Sequence, residues 1–197
     1  MRREAPAAAR NRQPILEVLQ PRLPATGLVL EIASGTGEHV VHYAAARPEL
    51  TFQPSDPDAD ARASVDDWVR TLGLKNVLPA LEIDVTATAW PVERADAVLC
   101  CNMIHIAPWD AAIGLVNGAA RLLPRGGLFY LYGPYRRDGR HTAPSNEAFD
   151  ADLRRRNPAW GVRALEAVVD LTRTQGFSAP DIVEMPANNL SLLFNRL

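Results

Sequence analysis

Glu31, Gly35 and Gly37 fall within L-V-L-E-I-A-S-G-T-G-E at residues 28–38, an apolar run that ends in a glycine-rich turn. Glycines at 35 and 37 let backbone approach a ligand without Cβ interference, and a helix beginning near Glu38 would point its first free N–H groups at that turn. Such a turn suits a nucleotide-type cofactor. A carboxylate ahead of the glycines would repel a pyrophosphate and attract a cationic, amine-bearing ligand. A dinucleotide fingerprint G-x-G-x-x-G would also need glycine at position 40, where the chain has Val40. A dinucleotide site and a purely structural strand turn are the competing readings.

Other polar residues stand at the ends of apolar runs. Asp56 follows the glycines by about twenty residues, where a carboxylate can accept both ribose hydroxyls; its setting, S-D-P-D, equally suits a turn or helix cap. Asp84 in L-E-I-D-V can accept an adenine exocyclic amine, with Val85 or Ile83 lining the ring, or can serve as a turn aspartate. Asn102 and Met103 follow a later run, and His105 shares a face with Asn102 if a helical turn begins there. His141 lies in the polar segment D-G-R-H-T. Asn102, His105 and His141 are the candidate catalytic residues, the two histidines as general bases, against the alternative of structural or solvated side chains. Tyr132, Tyr135, Trp160, Asn146, Asn188 and Asn189 can wall or orient a small substrate. Tyr132 equally fits strand core, and the two adjacent asparagines equally fit a hairpin turn. Arg136, Arg137, Arg140 and His141, with the arginines at 154–156, can meet a carboxylate or phosphate, or simply face solvent.

Alternating strand and helix patterns must position these groups. Strands are expected at 28–33, 50–55, 80–85, 95–101 and 128–133, and helices at 14–20, 38–47, 58–72 and 109–123. Gly114 and Gly118 would let the last of these helices press on the sheet. Residues 134–157 interrupt the alternation with a polar loop and a short helix near Ser145. A helix at 163–175 and strands at 181–185 and 190–195 complete the chain. The short P-A-N-N link makes the last two strands an antiparallel pair, since a parallel crossover needs a dozen or more residues.

A chain of 197 residues with 47% hydrophobic content can bury one sizeable core, and a net charge of −2 offers no overall field toward nucleic acid or an anionic membrane. Cys100 and Cys101 are neighbours in an apolar run, so they point to opposite faces and do not pair. They fit a reducing, cytoplasmic setting. No apolar run reaches membrane-spanning length, and the N-terminus lacks the apolar core of a secretory signal, its arginine and alanine content leaving organellar targeting as the alternative. No metal-ligand cluster is expected.

E-x-A-x-G-x-G resembles motif I of the class I S-adenosylmethionine (SAM) methyltransferases. A-R-N-R-Q-P-I-L, C-N-M-I-H-I-A-P-W, G-P-Y-R-R-D-G-R-H-T-A-P-S-N-E-A-F-D and M-P-A-N-N-L together resemble the methyltransferase-like protein 26 family, over essentially the whole chain after about residue 8. The resemblance implies an α/β Rossmann-like class I methyltransferase fold: a mostly parallel seven-stranded sheet with a C-terminal antiparallel hairpin and helices on both faces. The alternation reads as one domain over 1–197, with a flexible leader at 1–10 and an inserted segment at 134–160 where a substrate lid is expected. SAM, leaving as S-adenosylhomocysteine (SAH), would lie on Glu31, Ala33, Gly35, Gly37, Asp56, Asp84, Val85, Asn102 and Met103, under Asn11 and Arg12, with Arg12 pairing its carboxylate. The expected partner is a small, anionic molecule meeting Tyr135, Arg140, His141, Asn146, Trp160, Asn188 and Asn189, with no nucleic acid or membrane, in a monomer or homodimer. A non-catalytic scaffold on the same fold and an NAD(P)-dependent oxidoreductase are the alternatives.

Overall fold

The computed structural model describes residues 1–197. Four parallel strands, β1 (Gly27–Ile32), β2 (Leu50–Ser55), β3 (Ala97–Cys101) and β4 (Leu128–Gly133), join an antiparallel pair, β7 (Asp181–Met185) and β8 (Asn189–Asn195), in the order β2-β1-β3-β4-β8-β7. A small hairpin, β5 (Arg136–Arg137) with β6 (Arg140–His141), stands apart. The expected mostly parallel sheet with a C-terminal antiparallel hairpin is present.

Strand alternation divides the core in two. Val29, Ala97, Leu99 and Tyr130 turn toward α1 (Pro6–Leu19), α2 (Glu38–Ala46) and α3 (Ala59–Leu72). Leu30, Val98, Cys100 and Phe129 turn toward α4 (Trp109–Leu122) and α6 (Leu165–Thr174). The four parallel strands are buried on both sides, as a parallel sheet covered by helices requires, whereas the edge strand β7 is largely exposed. Cys100 and Cys101 are unpaired. No helix is long and apolar enough to cross a membrane.

The strand expected at 80–85 does not form, so the sheet has six strands rather than seven. Two isolated bridges, Phe52 with Val77 and Ser55 with Leu81, mark its place beside β2. The cause is a pair of prolines. Phe52 accepts from Leu78 N–H and Pro54 from Leu81 N–H, but Pro54 has no N–H to return. The outer segment therefore takes an extra residue at Pro79, whose carbonyl is satisfied by Gln53 Nε2 at 2.8 Å.

Helix α1 begins at Pro6, eight residues ahead of the expected start, and carries Pro14 inside it. Pro6 suits the first turn and Ala7–Ala9 favour helix, which offsets the single bond lost at Pro14. Ahead of the helix, Ala5 N–H donates to Glu38 Oε2 at 2.6 Å and Arg3 N–H to Ser64 Oγ at 2.7 Å, so the leader lies along α2 and α3. The interrupting segment contains the β5–β6 hairpin and a helix of 13 residues, α5 (Pro144–Arg156). Gly114 and Gly118 do allow close packing, but against the 85–90 loop rather than the sheet. A Cβ at 114 would stand 2.2 Å from the Val85 carbonyl oxygen, and one at 118 would meet the Trp90 ring.

Candidate active site

The chain leaves β1 for β2 on one side and later returns to β3 on the other, which opens a crevice at the carboxyl ends of β1 and β3. The turn after β1 is held in left-handed conformations at Ala33 (φ 57°), Gly35 (φ 56°) and Gly37 (φ 92°). Gly35 N–H donates to Asp56 Oδ2 at 3.0 Å, and Asp58 N–H to Asp56 Oδ1 at 2.9 Å. One lone-pair direction remains on each Asp56 oxygen for further donors. Gly37 lines no cavity; a Cβ there would come within 2.8 Å of Val65 Cα, so its role is to seat α2 against α3.

Three cavities run in series along the crevice. The first, about 470 Å³, lies between Asp56, Pro57, Ile83, Asp84 and Val85 on one side and Met103, Pro108 and Ala111 on the other. The second, about 260 Å³, is bounded by Glu31, the 33–36 turn, His39, Cys101 and Asn102, under Ala5, Ala7, Ala8 and Asn11. The third, about 570 Å³, is an open cleft bordered by α1, Tyr132, Pro134, the first turns of α5, Ala187 and Asn189. Ala33, Gly35, Cys101 and Ile106 border the first two, and Ala7, Asn11, Asn102 and Ile106 border the last two. Asn102 takes a left-handed conformation (φ 63°) that ends β3 and starts a one-turn 3-10 helix, delivering Ile106 to the junction.

Glu31 is 2% exposed at the floor of the second cavity, and its Oε2 has no hydrogen-bond partner. Burial pushes its carboxyl up to about 8, opposed by a bond from Ser34 and reinforced by the charge of Asp56. At neutral pH the group is held largely as the uncharged acid. A cationic amine entering this cavity would supply the missing donor and stabilise the carboxylate together. His39, beside it, is pushed down to about 4 by burial, so the ring is neutral; its Nε2 lies 2.7 Å from Asn11 Oδ1. The Asp84 carboxyl is held low by bonds from the Thr86 hydroxyl and N–H, both to Oδ1. Its Oδ2 is free for an amine at the edge of the first cavity.

The third cavity has a braced wall. Asn146, 5% exposed, donates through Nδ2 to the Asn188 carbonyl at 2.9 Å and to Thr142 Oγ1 at 3.0 Å, tying α5 to the β7–β8 turn. In that turn Ala187 and Asn188 are left-handed. Asn146 and Asn189 border the cavity, whereas Asn188 braces it from behind.

Several expected site residues lie elsewhere. His105 is wholly buried and lines no cavity. Its Nδ1 accepts from Arg163 N–H at 3.2 Å, its ring meets Tyr135 edge-on at 5.0 Å, and burial with the Arg163 charge pushes it down to about 3. Arg163 also donates to the carbonyls of Ile104 and Ala107, so this knot fastens the returning chain to the turn after β3. Tyr135 is fully buried in the same core, with its hydroxyl unpartnered. His141 Nε2 lies 3.4 Å from Asp150 Oδ2, within the inserted segment and off the cavity wall. Arg140 faces solvent, and Trp160 lies beneath the Arg156 guanidinium. Arg12 borders none of the three cavities; Arg10 and Asn11 do. Arg10, His39, Ile106 and Phe149 also border these cavities, with no signal in the sequence to mark them. Arg10 precedes Asn11 on α1 and Ile106 follows His105, but neither neighbour indicates which way a side chain turns.

The fold is shared with solved methyltransferases. An O-methyltransferase family protein from Burkholderia thailandensis superposes with a TM-score of 0.82 at 19% identity, over 96% of this chain and 57% of its own. The S-adenosylmethionine-dependent methyltransferase SibL gives 0.79 at 19% identity, over 96% and 55%. CalO1, a methyltransferase of calicheamicin biosynthesis in its SAH-bound form, gives 0.75 at 16% identity, over 97% and 54%. The chain thus spans a little over half the length of these proteins and has the Rossmann-like class I methyltransferase fold. A family model described as "Protein of unknown function (DUF938)" matches residues 2–196, and the chain belongs to that family.

Proposed function

We propose that the protein binds SAM along the first two cavities and transfers its methyl group to a small, anionic molecule held in the third. The observation that carries this reading is the unpartnered Glu31 oxygen on the floor of the middle cavity. The narrower kinship with the methyltransferase-like protein 26 family belongs to the same proposal.

When bound, SAM supplies a methyl group already activated by its positive sulfur, so the protein's task is chiefly in-line placement. Glu31 takes the ammonium group and Asp56 the ribose hydroxyls. Asp84 Oδ2 accepts from the adenine amine, while Ile83, Val85 and Met103 cover the ring faces. Ala7 and Asn11 roof the middle cavity and keep water out. Asn102 and Ile106 stand where the cofactor and substrate cavities meet. The segment at 134–160 serves as the substrate wall and lid.

Thermal unfolding with SAM, SAH and NADH in parallel tests the reading. A ligand at about a hundred times its Kd adds about 2.7 kcal/mol. Stabilisation by SAM and SAH but not NADH is expected, and an Asp56→Ala variant that still folds should lose it. Stabilisation by NADH alone would assign the crevice to a dinucleotide. Binding of SAM without turnover across small-molecule fractions would favour a scaffold on this fold.

A further inference from the structure

Methyl transfer to a neutral hydroxyl or ammonium group requires a base, because the acceptor arrives holding a proton that must leave. The wall of the third cavity contains none. Among its twelve lining residues there is no histidine, aspartate, glutamate, lysine or cysteine. The Tyr132 phenol is there, but burial raises its pKa, which disfavours the phenolate. His105 is locked in the core by Arg163, and His141 faces Asp150 behind the wall. His39 lines the adjoining cavity with its Nε2 engaged by Asn11.

What the wall does contain is one charged residue, Arg10, with no counter-charge beside it in the lining. The amide of Asn11 has its oxygen directed at His39 and one N–H at the Tyr132 hydroxyl, which leaves its second N–H as a donor. Ile106 and Phe149, 42% and 37% exposed, supply apolar surface at the same cavity. A guanidinium and amide donors match the lone pairs of a carboxylate; a thiolate accepts hydrogen bonds weakly.

Resting on the SAM reading above, we infer that the acceptor is a carboxylate carried on an apolar body, methylated on oxygen without an enzyme base, with Arg10 as its anchor. In this step a carboxylate oxygen forms a bond to the methyl carbon, the carbon–sulfur bond breaks, and its electron pair stays on sulfur. No proton is released, which is why the cavity needs no group to receive one. Arg10 keeps the acceptor ionised and oriented.

Calorimetry on the SAH-loaded protein, with benzoate and hexanoate as probes against benzamide and hexanamide, tests the assignment without relying on turnover. The acids are expected to bind at least tenfold more tightly than their amides. Arg10→Gln should erase that difference while leaving SAH affinity unchanged. Equal binding of acids and amides, or an acid preference that survives in Arg10→Gln, would overturn the carboxylate assignment and leave SAM binding intact. Failure of the protein to bind SAH at all would overturn the methyltransferase reading, and this inference with it.

Discussion

Glu31 and His105 are both enclosed, and each keeps one side-chain atom without a hydrogen-bond partner, Oε2 in the first and Nε2 in the second. Burial shifts both toward neutrality, raising the acid and lowering the base. Their surroundings differ. Glu31 borders a cavity that a ligand donor can enter. His105 is packed against Tyr135 and the Gly133 backbone, where even a methyl group at 133 would stand 2.5 Å from Nε2. An orphaned polar atom points to a ligand only where space adjoins it; without that space it is a cost of packing, borne by the bonds on the other side of the ring.

The largest test of this contrast is Glu31→Gln. Removing one partner of a buried charge pair costs about 2–5 kcal/mol, so SAM and SAH affinity should fall by about thirtyfold or more in calorimetry. Stability of the ligand-free variant should hold or rise, since an ionisable group leaves a buried site. Retained affinity would place the ammonium elsewhere. His105→Ala should do the reverse. Loss of ring packing and of the acceptor for Arg163 should lower unfolding free energy by about 2–4 kcal/mol, with SAH affinity within about threefold of wild type. A selective loss of affinity would return His105 to the active site.

The smallest effect is in pH. Glu31 has a folded pKa of about 8 against an ordinary value of 4.5, so its contribution to stability is full below 4.5 and is lost as pH rises toward 8. His39 and His105, at about 4 and 3 against 6.5, have the opposite sign and destabilise the fold as pH falls below 6.5. Between pH 6.5 and 8 only Glu31 of the three acts. Unfolding free energy of the ligand-free protein should decline by about 1–2 kcal/mol across that window, and Glu31→Gln should flatten the decline. An unchanged slope would assign it to other groups.

The part of the crevice proposed to hold the cofactor is legible in the sequence because its parts are local. Glu31 and the glycines are contiguous, and Asp56 and Asp84 stand where apolar runs stop. The part proposed to hold the substrate is not. Its wall comes from α1, the turn after β3, β4, α5 and the β7–β8 turn, and no periodicity within one segment announces that meeting. His105 illustrates the difficulty: its environment is set by Arg163, 58 residues away. The missing seventh strand has a different origin, since an apolar run looks like a strand until the ladder partner's missing N–H is noticed.

That proline pair also governs how this edge of the sheet meets other chains. A regular outer strand would present an unbroken row of free N–H and C=O groups, the template on which a foreign strand can add and fibrils can grow. Here Pro79 and the extra residue break the row, so the segment beside β2 offers no continuous register to copy. Exposed Leu78 sits on this irregular rim rather than on a flat strand, and the fold is protected there against edge-to-edge aggregation.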